Sequence, residues 1–186
     1  MTSQDEASLL SDNVRDAYID AAPGPGVVTD AAAQACYGYL ITALEDASDP
    51  PAIVREAVTG LIGGAKKLIS PFWHAARGAL VGVVHAGVGQ RLALEPLIEA
   101  GTVAAMDAAD ALGGDFGAAA QGAVEGCILA ADELSLDEAA LGSCAATAAL
   151  TRSTEMVEGA HEKVQHLVTR RVLGITIDVP DNLRSD

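Results

Sequence analysis

The chain has 186 residues, of which 50% are hydrophobic and only 3% aromatic, and its formal net charge is −15. It is long enough to bury a core, too apolar for a disordered segment, and too acidic to favour nucleic-acid backbones or anionic headgroups. The apolar content is mostly Ala, Val, Leu and Ile, so stability must come from close backbone approach and many small contacts rather than from large anchors. Lysine is confined to Lys66, Lys67 and Lys163, and a lysine-poor acidic surface suits either simple solubility or a highly salted cytoplasm, which screens self-repulsion. Cys36, Cys127 and Cys144 are far apart and odd in number, which predicts buried free thiols and not a disulfide framework.

Helix punctuation predicts an all-α fold of seven to eight antiparallel helices. The first runs from Ser3 to Ala21 and stops at the PGPG of residues 23–26. Thr29 and Asp30 cap a second, reaching about Ala47. Ser48-Asp49 before Pro50 and Pro51 starts a third, ending near Ile69, because proline is favoured in a first helical turn. Ser70-Pro71 opens a fourth that fades between Gly87 and Arg91. Its run from Pro71 to Gly89 is apolar nearly all round, as expected of a central core helix. The stretch over residues 78–89 is too short to span a bilayer. The fifth helix starts near Leu94 and ends at Gly113-Gly114, and the sixth runs from Asp115 to about Leu134. Ser135 and Glu138 read as a capping box for the seventh. A charged eighth helix is expected from Ser153 to about Leu173.

The helices rhyme. Gly38, Gly60, Gly78, Gly101, Gly122 and Gly142 lie near the middle of successive helices, with gaps of 22, 18, 23, 21 and 20 residues. Four residues after each comes another small one: Thr42, Gly64, Gly82, Ala105, Gly126 or Ala146. Positions i and i+4 share a helix face, so each helix carries a shallow stripe on which a neighbouring backbone can settle. A mid-helix glycine costs about 1 kcal/mol relative to alanine, so the stripes must face another helix, within the chain or between chains. A period of about 21 residues fits one helix and one turn, giving a bundle or a short array. The expected organisation is a single helical domain over 1–173, with a repeat core at 29–150, charged flanking helices at 1–22 and 153–173, and an extended tail at 174–186. In that tail Ile175, Ile177 and Val179 alternate with polar residues, a short strand in need of a partner, on its own surface, a neighbouring subunit or another protein.

Candidate chemistry is sparse. Trp73, His74 and Arg77, with His85 three turns on, could line a pocket for a planar or anionic ligand. Glu158, His161 and His166 are weak metal candidates, since a single E-x-x-H falls short of the paired motifs and extra carboxylates of a di-metal bundle. No cofactor is expected. The favoured function is a non-enzymatic helical scaffold or assembly subunit that self-associates through the small-residue faces at Gly38, Gly60, Gly64, Gly78, Gly82, Gly101, Gly122, Gly126 and Gly142. Its partners would be a second copy and, through the tail, another protein. The alternatives are a module for an apolar ligand, lipid surface or storage granule, a metal-dependent bundle enzyme, and an acidic mimic of nucleic acid. The expected location is cytoplasmic, with no transmembrane segment and no nucleic-acid partner.

Overall fold

A computed structural model describes the backbone of residues 3–22, 28–169 and 171–184 and the side chains from residue 11 onward within those spans. The PGPG expected to end the first helix lies outside the described residues. The fold is all-helical: α1 (Ser3–Ala21), α2 (Val28–Ala43), α3 (Pro50–Lys67), α4 (Phe72–Gly89), α5 (Leu94–Ala111), α6 (Phe116–Leu134), α7 (Glu138–Ser153) and α8 (Ala160–Val168). A two-stranded hairpin of β1 (Arg171–Val172) and β2 (Ile175–Thr176) and a single 3-10 turn at Asp181–Leu183 follow.

The repeat is regular where the glycine gaps were not. From α2 to α8 the helices begin at residues 28, 50, 72, 94, 116, 138 and 160, an interval of 22 each time. The turns keep the same beat. Ile69, Arg91, Gly113 and Ser135 all adopt positive φ, and each follows a helix by one or two residues. In each of these turns a backbone N–H reaches back past the left-handed residue, as from Ser70 to Ala65 O and from Leu136 to Ala131 O. This is the bond that satisfies orphan carbonyls at a helix end.

From α3 to α6, and again at α8, each helix packs beside the helix two positions earlier more extensively than beside the one just before it; α7 instead packs more against α6 than against α5. The result is two layers, with α1, α3, α5 and α7 in one and α2, α4, α6 and α8 in the other. Consecutive helices reverse direction across short turns, so helices within a layer run parallel. The repeating unit is therefore a helix pair of 44 residues, twice the 22-residue interval. α4 lies between α2 and α6 and contacts α5 and α3 as well, which buries ten of its residues, from Ala75 to Gly87. It is a central core helix, and among the described residues no helix is long and apolar enough to cross a membrane.

The stripes of small residues face helices of the same chain. A Cβ placed on Gly60, Gly78, Gly82, Gly122 or Gly126 would come closer than 3.0 Å to the carbonyl oxygen of Ser11, Thr29, Ala33, Trp73 or Arg77, respectively. In every one of these five pairs the two residues are 49 apart in sequence (60 and 11, 78 and 29, 82 and 33, 122 and 73, 126 and 77). A constant offset means a constant register between parallel helices. Gly64 admits the Tyr18 ring in the same way, while Gly101 and Gly142 meet side chains, those of Leu80 and Val54 and of Ile128 and Ile177. The expectation of self-association through all nine positions changes accordingly, because eight are filled by this chain. Gly38 is different: among the described residues nothing lies within 4 Å of its Cβ position.

Four local readings are corrected. α2 ends at Ala43, and Asp46 takes a left-handed conformation (φ 58°) in the turn that follows. Ser135 is no N-cap; it closes α6 with φ 56°, and the α7 cap is Asp137, whose carboxylate accepts from Ala140 N. α7 runs on to Ser153, so the eighth helix begins only at Ala160. The extended segment starts at Arg171, before the expected boundary at 174. Leu173 and Gly174, both at positive φ, form the two-residue turn that lets β2 pair with β1.

Candidate functional site

An open groove lies in the odd layer, and the repeat register explains it. On α3 the positions facing α1 are Gly60 and Gly64, which let the helices close on each other. Adding 44 and 88 residues gives Ala104 and Ala108 on α5, then Ala148 and Arg152 on α7. A methyl and a guanidinium stand where glycines were, and α7 cannot settle on α5 as α3 settles on α1. The two helices stay in contact but leave an open trough of about 820 Å³ between them.

Ile98, Val103, Leu141 and Ala148 supply apolar lining, and the rim carries Glu95, Glu99, Asp107 and Glu155. Arg152 spans the far end, its Nε 2.7 Å from Asp107 and its Nη1 2.6 Å from Glu155. Four carboxylates against one guanidinium leave the rim with a formal charge of −3. Cys144 looks into the trough, its Sγ 3.9 Å from the Glu95 carbonyl oxygen. Burial, reinforced by the charges of Glu95 and Glu99, pushes its thiol up to about 11. It is a protonated, weakly nucleophilic group at neutral pH. Sequence reading missed this trough. The signal was present in Arg152 at a register position held elsewhere by Gly64 and Ala108, but it appears only once the glycines are aligned at 22 residues.

Of the residues expected to line a pocket, Trp73, His74 and Arg77 do come together, at the N-terminal end of α4. Arg77 stacks over the Trp73 ring at 4.5 Å and points its Nη1 toward Glu125 of α6, 3.6 Å away. Glu125 is only 5% exposed and accepts from Gln121 Nε2 at 2.9 Å. His74 Nδ1 lies 3.2 Å from Thr29 Oγ1 of α2, and burial followed by the Arg77 charge lowers its pKa. Trp73 Nε1, Arg77 Nε and Glu125 Oε2 are buried with no hydrogen-bond partner among the described residues. This cluster ties α4 to α6 by charge and α4 to α2 by hydrogen bonding to Thr29. His85 is not part of it; three turns along, its Nε2 meets Glu133 Oε2 at 2.9 Å and its ring edges against Tyr37.

The metal candidates do not converge. Both ring nitrogens of His161 are engaged, Nδ1 with Ser153 Oγ and Nε2 with the Leu183 carbonyl, whereas Glu158 and His166 are exposed. Among the described residues no group of three or more His, Cys, Asp or Glu side chains could hold a metal ion. The tail finds its partner at home. Ile177 and Val179 are each 4% exposed, Ile177 packs toward Gly142, and Asp178 N donates to Ser143 Oγ. Ile175 stays half-buried in the hairpin.

Fold and geometry thus define a two-layer helix-pair repeat protein with an acidic trough. Comparison with protein-family models, with curated proteins and with solved structures finds no match.

Proposed function

We propose that the protein is a non-enzymatic helical scaffold that assembles with a second copy of itself through α2. One observation carries this reading. Gly38 stands at the register of Gly60, Gly82 and Gly126, at intervals of 22, 22 and 44 residues. Each of those three receives the backbone of the helix two positions earlier, and Gly38 receives nothing among the described residues. α2 is the first helix of its layer among the described residues, and none of them covers its receiving face at Gly38. Gln34 and Tyr37 flank the stripe and are exposed, Tyr37 to 42%.

A second α2 offers the same stripe, so two copies can pack face to face about a two-fold axis that closes the assembly. Each chain carries −15, and screening should therefore tighten the dimer as salt rises. Light scattering at low and high salt, on the natural chain and on Gly38→Leu, tests the reading. The expected result is a dimer strengthened by salt and a Gly38→Leu monomer that is folded and at least as stable as the natural monomer. A natural chain that is monomeric at both salts, or a Gly38→Leu protein that still dimerises, overturns it.

A further inference from the structure

We propose that the trough between α5 and α7 is a docking site for a basic amphipathic helix of a partner protein. This goes beyond self-association through α2 and stands on different helices.

Shape comes first. Glu95, Glu99, Val103 and Asp107 follow one another at four-residue steps along α5, so the trough extends over 12 residue rises. At 1.5 Å per residue that is about 18 Å, or some three helical turns. An open trough of this length, with an apolar floor, matches an amphipathic helix that lays side chains at i, i+3, i+4 and i+7 into a groove. The Gly60–Gly64 seam of the same layer shows that α7 could have closed on α5 had position 152 been small.

Charge selects among occupants. Arg152 is already bound by Asp107 and Glu155, which leaves Glu95 and Glu99 at the open end with no cation among the described residues. Their field reaches the floor, where both raise the pKa of the Cys144 thiol. Anionic lipid surfaces and nucleic acids are repelled by this rim, and so is a second copy carrying −15. Lysine or arginine flanking the apolar face of a helix is attracted, and would steer its approach.

The test uses the full chain and fluorescence anisotropy with a labelled synthetic peptide, a leucine-faced amphipathic helix with lysine and arginine on its flanks. Two control peptides have the same composition in scrambled order, and glutamate in place of each basic residue. We expect saturable binding of the first peptide that weakens with salt, and at least about tenfold weaker binding of both controls. Glu95→Lys with Glu99→Lys, both exposed, should weaken binding by about tenfold or more at low salt. Thr147 also lines the trough, and Thr147→Trp should fill it and abolish binding. Circular dichroism melts establish that each variant is folded. Gly38→Leu should bind as the natural chain does, which separates this site from the α2 interface. Equal binding of the scrambled peptide, equal binding of the acidic peptide, unchanged binding by the folded double Lys variant, or no binding by the natural chain each overturns the proposal.

Discussion

Gly38 and Gly126 occupy the same position in two helices of one layer, 88 residues apart, so the same substitution at both isolates what the neighbouring helix contributes. Replacing glycine by alanine in a helix gains about 1 kcal/mol of propensity at either site. At Gly38 nothing opposes that gain among the described residues, and Gly38→Ala should stabilise the monomer by about 0.5–1 kcal/mol. At Gly126 the new methyl would meet the backbone carbonyl of Arg77, closer than 3.0 Å, with Leu80 Cβ at 3.0 Å. A backbone carbonyl cannot rotate away as a side-chain end can, so α4 and α6 must separate. Overpacking costs about 1–3 kcal/mol, and a clash with a rigid backbone carbonyl belongs to the upper part of that range, about 2–3 kcal/mol, which exceeds the propensity gain. The predicted net change is a loss of about 1–2 kcal/mol, opposite in sign to Gly38→Ala. Urea denaturation should show the two midpoints moving in opposite directions. The protein must be dilute enough to remain monomeric, with unchanged slopes to validate the comparison. A Gly126→Ala variant as stable as Gly38→Ala would refute the account of the stripes as seats for a neighbouring backbone.

Arg77→Met should destabilise the fold by about 3–5 kcal/mol, because it leaves Glu125 buried without its cation. Pairing it with Glu125→Leu should recover much of the loss in the same urea assay. Ile69 is β-branched, 93% exposed and held at φ 52°, where the in-register turn at 113 uses glycine. Ile69→Gly should therefore raise the melting midpoint, by about 1 kcal/mol of relieved strain. Burial pushes the Cys36 and Cys127 thiols far above their ordinary range, and Cys144 up to about 11. At pH 8 in native conditions a thiol reagent should label Cys144 slowly and the other two only after denaturant is added; rapid labelling of all three would contradict the packing.

The local level of this fold was legible in the sequence because its causes are local. Asp49 before Pro50 and Pro51, and Asp115 before α6, cap helices through bonds that span three residues, to Ala52 N and Ala118 N. Ser135 misled because serine serves equally as a cap and as a turn residue. Asp137 two residues on took the cap and left Ser135 to close α6 in the left-handed region. The small-residue repeat was visible in composition, but its phase was not. Gly78 and Gly122 lie one turn ahead of the common register, and Gly101 and Gly142 fall out of step with it, so the nearest glycine gave a wandering period where the helix starts keep 22. Among the candidate residues, Trp73, His74 and Arg77 were found together because one helical turn contains them, whereas Glu125 joins from another helix and His85 departs to Glu133.

The sequence alone determined that this chain is helical, where most helices begin, and that their faces must pack against something. Tertiary structure decided what that something is. The Ile177 and Val179 segment needs the face of α7. Whether a glycine stripe meets its own chain or remains open, and whether α5 and α7 close along their whole seam or leave a trough, depend on distances between helices two apart. Those distances are set by pairs of residues 49 positions distant, such as Ala33 with Gly82. No window one helix long contains both members of such a pair.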